Sequence, residues 1–159
     1  DISAGELDPL IVDVAAEHDV PYVAMHMKGN PRTMQSMTDY RDIVAEVVDY
    51  FRERTAQLRE RGVRRIVVDP GFGFAKTLEQ NYELLRGLHR LAELGYPVLA
   101  GVSRKSRIYK LLGTTPAEAL NGTTALHWEC LRQGAVILRA HDTREAVEVV
   151  RMFDQFMQA

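Results

Sequence analysis

The 159-residue sequence predicts an α/β fold on a parallel sheet, about half of an eightfold β/α barrel. Three observations carry this. Short apolar runs alternate with long amphipathic ones, glycines (Gly62, Gly95, Gly134) close three of the long runs, and polar residues gather just after every short run. Alternation of this kind produces right-handed βα crossovers and strands covered on both faces.

The chain opens Asp1-Ile2-Ser3-Ala4-Gly5, without Met, in what reads as the last residues of a strand, so it is expected to be part of a longer chain. The candidate strands are then Tyr22–Met27, Arg65–Asp69, Pro97–Gly101 and Ala135–Arg139, each short and mostly apolar. Between and after them lie helical stretches. Tyr40–Arg61 places Ile43, Val44, Val47, Val48 and Phe51 on one face. Gln80–Leu94, Pro116–Arg132 and Thr143–Met157 read the same way, and on the last of these Val147, Val150, Phe153 and Phe156 form a stripe expected to pack on the core. The three glycines stand where a helix ends through a left-handed residue. Their spacing, 33 and then 39 residues, is that of βα units. Four strands plus a stub at residues 1–3 amount to about half of the barrel. A small doubly wound sheet is the alternative, but no glycine-rich nucleotide fingerprint follows an early strand.

Composition narrows the function classes. Apolar residues make up 46% and charged residues 26%, ordinary for a soluble globular domain. The net charge is −2, so neither a nucleic-acid partner nor a membrane surface is expected. No run reaches the roughly 20 apolar residues of a membrane span. No secretory signal is visible, and the single cysteine, Cys130, cannot form an internal disulfide. A reducing, cytoplasmic setting and a buried thiol are expected.

In such folds ligands bind at the carboxyl ends of the strands. The residues there are Met25 to Lys28 with the loop to Arg32, Asp69 to Lys76, Gly101 to Ser106, and Arg139 to Asp142. Asp69 ends an apolar strand ahead of a rigid Pro-Gly turn, where a carboxylate either braces the loop or accepts N–H donors from a planar ring edge. Ser103-Arg104-Lys105-Ser106 opens a helix, and its free N–H groups, hydroxyls and charges suit an anion; a plain helix cap beside solvated basic residues is the other reading. Arg139 and His141, two apart, project to the same side in extended geometry, as a phosphate clamp would. His26 is expected buried and hydrogen-bonded beside the site. His18, His89 and His127 lie in helical stretches without metal-ligand spacing.

Five blocks, in order, carry a resemblance. They are Asp1-Ile2-Ser3-Ala4-Gly5, Met25-His26-Met27-Lys28-Gly29-Asn30-Pro31, Asp69-Pro70-Gly71-Phe72-Gly73-Phe74-Ala75-Lys76-Thr77, Gly101-Val102-Ser103-Arg104-Lys105-Ser106 and Arg139-Ala140-His141-Asp142. Over essentially its whole length the sequence resembles the dihydropteroate synthase family, whose barrel is of the TIM type. The blocks correspond to strands four through eight, so residues 1–159 would be the C-terminal part of a pterin-binding barrel domain. The resemblance implies condensation of 6-hydroxymethyl-7,8-dihydropterin diphosphate with p-aminobenzoate, with Mg2+ assisting departure of diphosphate, in a homodimeric enzyme.

It also implies roles. Asp69 holds the amino and ring N–H edge of the pterin, and Lys105 its polar edge. Met25 and Gly101 line the slot, and Arg139 stacks over the ring. Arg139 and His141 bind the diphosphate. Ser106 and the helix start take the carboxylate of p-aminobenzoate, with Phe74 and Lys105 as walls. Asp69, Lys105 and Arg139 are the expected catalytic set. The loops, the second carboxylate and the Asn that the family carries before this region find no counterpart in the sequence, so this portion alone is expected to be inactive. Two other readings stand beside this one: a methyltetrahydrofolate-dependent methyltransferase on the same barrel, and a non-catalytic binding or assembly segment using the outer helices.

Overall fold

A computed structural model describes residues 1–158 of the chain. Four parallel strands run through its centre: β1 (Tyr22–Met25), β2 (Ile66–Asp69), β3 (Leu99–Ala100) and β4 (Ile137–Leu138). β1 pairs with β2 from Tyr22 opposite Ile66 to Met25 opposite Asp69, and β3 pairs with β4 from Leu99 opposite Ile137. A bridge between Val68 and Val98 joins the two ladders, giving the spatial order β1-β2-β3-β4. Sequential order is the barrel's order, whereas a doubly wound sheet reverses direction at a switch point. The expected stub is present as a single paired residue. The Asp1 amino group donates to Val23 O at 2.8 Å and Met25 N–H to Asp1 O at 3.1 Å, the parallel pattern on β1's outer edge.

The helices are α1 (Leu10–Glu17), α2 (Ile43–Glu60), α3 (Leu78–Arg86), α4 (His89–Ala92), α5 (Ser106–Leu112), α6 (Leu120–Arg132) and α7 (Thr143–Gln158), with 3-10 turns at Met34–Ser36 and Pro116–Glu118. α2 starts at Ile43 rather than Tyr40 because the Asp42 carboxylate accepts the Ala45 N–H at 2.9 Å and fixes the first turn. Its buried stripe is Ile43, Val44, Val47, Val48, Phe51, Thr55 and Leu58. Each large apolar member contributes about 1.5–3 kcal/mol by leaving water.

The run expected as one helix over Gln80–Leu94 starts earlier, behind a Thr77–Gln80 capping box, and breaks at Gly87 into α3 and α4. α1 was not among the long helical runs, being only eight residues long with Leu10, Ile11 and Val14 exposed. α2 and α6 end alike. Val63 N–H bonds to Leu58 O at 3.0 Å and Ala135 N–H to Cys130 O at 2.9 Å, each across a left-handed glycine (Gly62, φ 89°; Gly134, φ 95°). α1 uses Asp19 (φ 46°) for the same turn.

The stripe on α7 does not pack as expected. Ala146 and Val149 are its buried residues, while Val147 and Phe156 are exposed. Helical phase is the reason: the face turned to α6 passes between the larger side chains. Phe153 and Phe156 instead meet Trp128 edge-to-face at 5.3 and 5.6 Å. Cys130 is fully buried, and burial pushes its thiol up to about 12. Among the described residues no helix is long and apolar enough to cross a membrane.

Candidate functional site

The carboxyl ends of β1 to β4 bring together most of the residues singled out in the sequence. Asp69, the last residue of β2, is buried, and its Oδ1 accepts the Gly71 N–H at 2.8 Å. Among the described residues no donor reaches Oδ2. Burial raises the carboxyl's pKa, while the Gly71 N–H and the charges of Lys105, Lys76 and Arg139 oppose the rise. Asp69 is thus a loop brace with one oxygen and open with the other.

Met25 lies opposite Asp69 in the ladder and is buried in a small apolar cluster with Met27 and Ala75, against which Met34 and Phe74 pack. The two residues assigned to different ligands by resemblance, Met25 and Phe74, therefore belong to one cluster. Gly71 makes the turn (φ 67°) at a place where a Cβ would stand 2.0 Å from His26 O. The chain can pass there only without a side chain.

Lys105 reaches across from the loop after β3. Its Nζ donates to Phe72 O and lies 5.1 Å from the centre of the Phe74 ring. Burial, then repulsion from Arg107, pulls its pKa down to about 8, against the attraction of Asp69. A cavity of about 200 Å³ on one side of Lys105 is lined by Gly73, Asn81, Ser106 and Arg107. A second, of about 270 Å³, is lined by Gly101, Ser103, Arg139 and His141. Lys105 is a wall of both. A Cβ at Gly101 would meet Lys105 Nζ at 3.7 Å and Arg139 Cβ at 4.0 Å, so the missing side chain keeps the gap between those cations open.

Arg139 and His141 are exposed and share the second cavity, as their spacing predicts. Ser103 Oγ accepts the His141 N–H at 3.1 Å and lies 3.0 Å from Nδ1, which leaves Nε2 directed away from Ser103. Ser106 opens α5 with an exposed hydroxyl at the rim of the first cavity. Arg104, in the same run, turns away from both cavities at φ 49° and pairs with Asp142. His26 is buried as expected, edge-on to Tyr50 at 4.9 Å, and burial with the nearby Lys76 and Lys28 charges holds it neutral, its pKa pulled down to about 2.

Sequence reasoning placed Ser103 and Lys76 at strand ends without the roles they have here, and missed Asn81 and Arg107 altogether. Arg107 is buried, donating Nη1–H to Asn81 Oδ1 at 2.7 Å and Nη2–H to Gly101 O at 3.3 Å. Asn81 Oδ1 also accepts the Gly73 N–H at 2.7 Å, tying α5 to the loop after β2. A polar residue inside an amphipathic helix carries no sign of this.

Residues 1–141 match the family model described as pterin binding enzyme. The chain belongs to the pterin binding enzyme family. Relatives in this family include the dihydropteroate synthases of Synechocystis sp., 43% identical over 97% of this chain and 54% of the relative, and of Escherichia coli, 42% identical over 96% and 55%. The chain spans about half the length of these curated relatives. Among solved structures it resembles the Thermus thermophilus dihydropteroate synthase in complex with 4-aminobenzoate, with a TM-score of 0.93 at 39% identity over 98% of this chain and 64% of that one. The same enzyme in complex with 6HMPPP gives 0.92 at 40% identity over 98% and 62%. The Yersinia pestis synthase in a sulfonamide drug complex gives 0.95 at 33% identity over 99% and 58%. Those structures are TIM barrels, and this chain matches a portion of that barrel.

Proposed function

We propose that residues 1–159 are the C-terminal part of the barrel domain of a dihydropteroate synthase, joining 6-hydroxymethyl-7,8-dihydropterin diphosphate to p-aminobenzoate. The observation that carries this reading is the pair of cavities meeting at Lys105, because a condensation of two substrates needs two adjoining pockets. The names of the relatives, and the 4-aminobenzoate and 6HMPPP bound in two of the solved structures, support it.

In this reading Asp69 Oδ2 takes the N–H edge of the pterin, Met25 and Gly101 form the slot, and Arg139 covers the ring. Lys105 reaches the pterin's polar edge from one side and walls the p-aminobenzoate pocket, with Phe74, on the other. Ser106 holds the carboxylate. The bond from the pterin methylene to the diphosphate oxygen breaks and its electron pair leaves with diphosphate, which Arg139 and His141 receive. The amine nitrogen then bonds to the methylene carbon and releases a proton to solvent. The protein's contribution is electrostatic, a carboxylate beside a forming cation and cations beside a departing anion.

Magnesium, implied for the diphosphate by resemblance, finds no ligand set among the described residues. Among the described residues no three His, Cys, Asp or Glu side chains gather, and Arg139 and His141 are not the oxygen ligands that Mg2+ prefers. A homodimer is part of the same reading, with the exposed face of α7 around Met152 and Phe156 as the surface available to it.

Calorimetric titration of the chain tests the proposal. Weak binding of the pterin diphosphate is expected, lost in Asp69→Ala and Lys105→Ala, without turnover by this chain alone. Ligand binding untouched by both substitutions would refute the assignment and favour an assembly role. Failure of a sulfonamide to compete with p-aminobenzoate would point to the methyltransferase alternative.

A further inference from the structure

The loop from Asp69 to Thr77 is built around a buried cation. Lys76 is only 8% exposed, and its side chain folds back beneath its own loop. Nζ lies 2.9 Å from Phe74 O, 3.1 Å from Gly71 O and 3.1 Å from His26 Nδ1, with His26 O further out at 3.5 Å. An ammonium carries three N–H bonds, and three short acceptors surround it. With its protons spent on these, Lys76 has none to offer a ligand, although its side chain borders the first cavity.

The two carbonyls it holds flank the groups that face the ligands. Gly71, whose carbonyl is bound to Lys76, gives its N–H to Asp69. Phe74, whose carbonyl is also bound, presents the ring beneath Lys105. The backbone between and after them is left-handed at Gly71, Gly73 and the non-glycine Ala75 (φ 50°), a path that needs outside support.

We propose that Lys76 is a positioning residue, its ammonium drawing Gly71 O, Phe74 O and the His26 ring together so that the Asp69 carboxylate and the Phe74 ring keep their places in the site. What the loop binds rests on the function proposed above; how the loop is ordered does not. The charged groups around Lys76 are Asp69 at the end of β2, Lys28 after β1, and Lys105 and Arg107 at the start of α5, with the neutral His26 in contact. Burial, set against the attraction of Asp69, pulls the Lys76 pKa down to about 7, so one of its three donors is lost on passing upward through neutral pH.

Two measurements decide the matter. In amide hydrogen exchange on the chain, Lys76→Met is expected to speed Gly71, Gly73 and Phe74 by about tenfold or more while α2 keeps its protection, and Lys76→Arg to restore part of the loss. Unchanged loop rates, or equal acceleration in α2, would overturn the proposal. In the unmutated chain, which removes any dependence on the variants folding, the 13C shifts of Gly71 and Phe74 carbonyls are expected to titrate with the Lys76 side chain near pH 7. Carbonyl shifts that stay flat through that titration overturn it equally. Pterin affinity is read separately: an unmutated chain that binds no pterin sinks the functional reading and leaves the exchange result to judge Lys76.

Discussion

Arg104 and Asp142 form a two-point fork, with Nε 2.8 Å from Oδ2 and Nη2 2.7 Å from Oδ1, that locks the loop after β3 to the loop after β4. The same guanidinium donates to Pro116 O and Ala117 O, so three segments converge on one side chain. Asp142 follows His141 directly. Arg104→Lys, which cannot reproduce a planar fork, is expected to free the second cavity's rim and weaken binding of inorganic diphosphate more than binding of p-aminobenzoate. Calorimetry with both ligands checks this, and equal weakening of both would count against it. The fork holds the Asp142 carboxyl below the usual range. Its stabilising share is therefore present above the unfolded pKa and lost as pH falls through the lower folded value.

Gly71 and Gly95 are both left-handed, at φ 67° and 81°, and separate two effects of adding a methyl group. At Gly95 nothing lies within 4 Å of a new Cβ, so Gly95→Ala is expected to destabilise by about 1–2 kcal/mol, the backbone cost alone. At Gly71 the new atom would meet His26 O at 2.0 Å, and Gly71→Ala is expected to exceed about 4 kcal/mol or to prevent folding. Urea unfolding of the two variants side by side provides the comparison; similar midpoints would show that the β1 and β2 loops are not in this contact.

Lys105 makes a pH prediction with two signs. Its folded pKa, about 8, is below the ordinary 10.5, so below pH 8 the lysine is charged in both folded and unfolded chains and burial of that charge opposes folding. As pH rises from about 8 to 10.5 the unfolded chain binds more protons, and this group's contribution to stability increases. On the proposed function ligand binding moves the other way, because the charge that Lys105 brings to both cavities disappears. Affinity for p-aminobenzoate is expected to fall above pH 8 in the unmutated chain and to be flat with pH in Lys105→Met.

Cys130 gives a simple probe of integrity. Fully buried, with its thiol pushed up to about 12, it is expected to ignore a thiol reagent in the native chain and to react at the rate of unfolding in denaturant. Rapid labelling in native buffer would mean that the packing of α6 on the sheet is looser than described.

Much of this site was legible in the sequence, for a definite reason. Asp69, Gly101, Arg139 and His141 stand at the ends of apolar strands, and strand ends are where a parallel α/β fold exposes side chains to ligands. Residues whose work depends on the path of a loop were hidden. Arg104 reads as solvated beside Lys105, yet the turn at φ 49° sends it into an ion pair. Nothing in the sequence singles out a role for Lys76 or Arg107, and only the folded loop shows them bound to carbonyls. The fold was legible from periodicity, whereas the break at Gly87 and the start of α2 were set by contacts and caps that periodicity does not register.

Lys105 is a wall of two cavities at once, which ties their histories together. A substitution there alters both pockets in a single step, so selection acting on one ligand alone is diverted to positions that line one pocket only. Ser106 is such a position on one side, Ser103 and His141 on the other. Variation among descendants of this sequence should accumulate at those rims and leave the shared lysine as a fixed point between them.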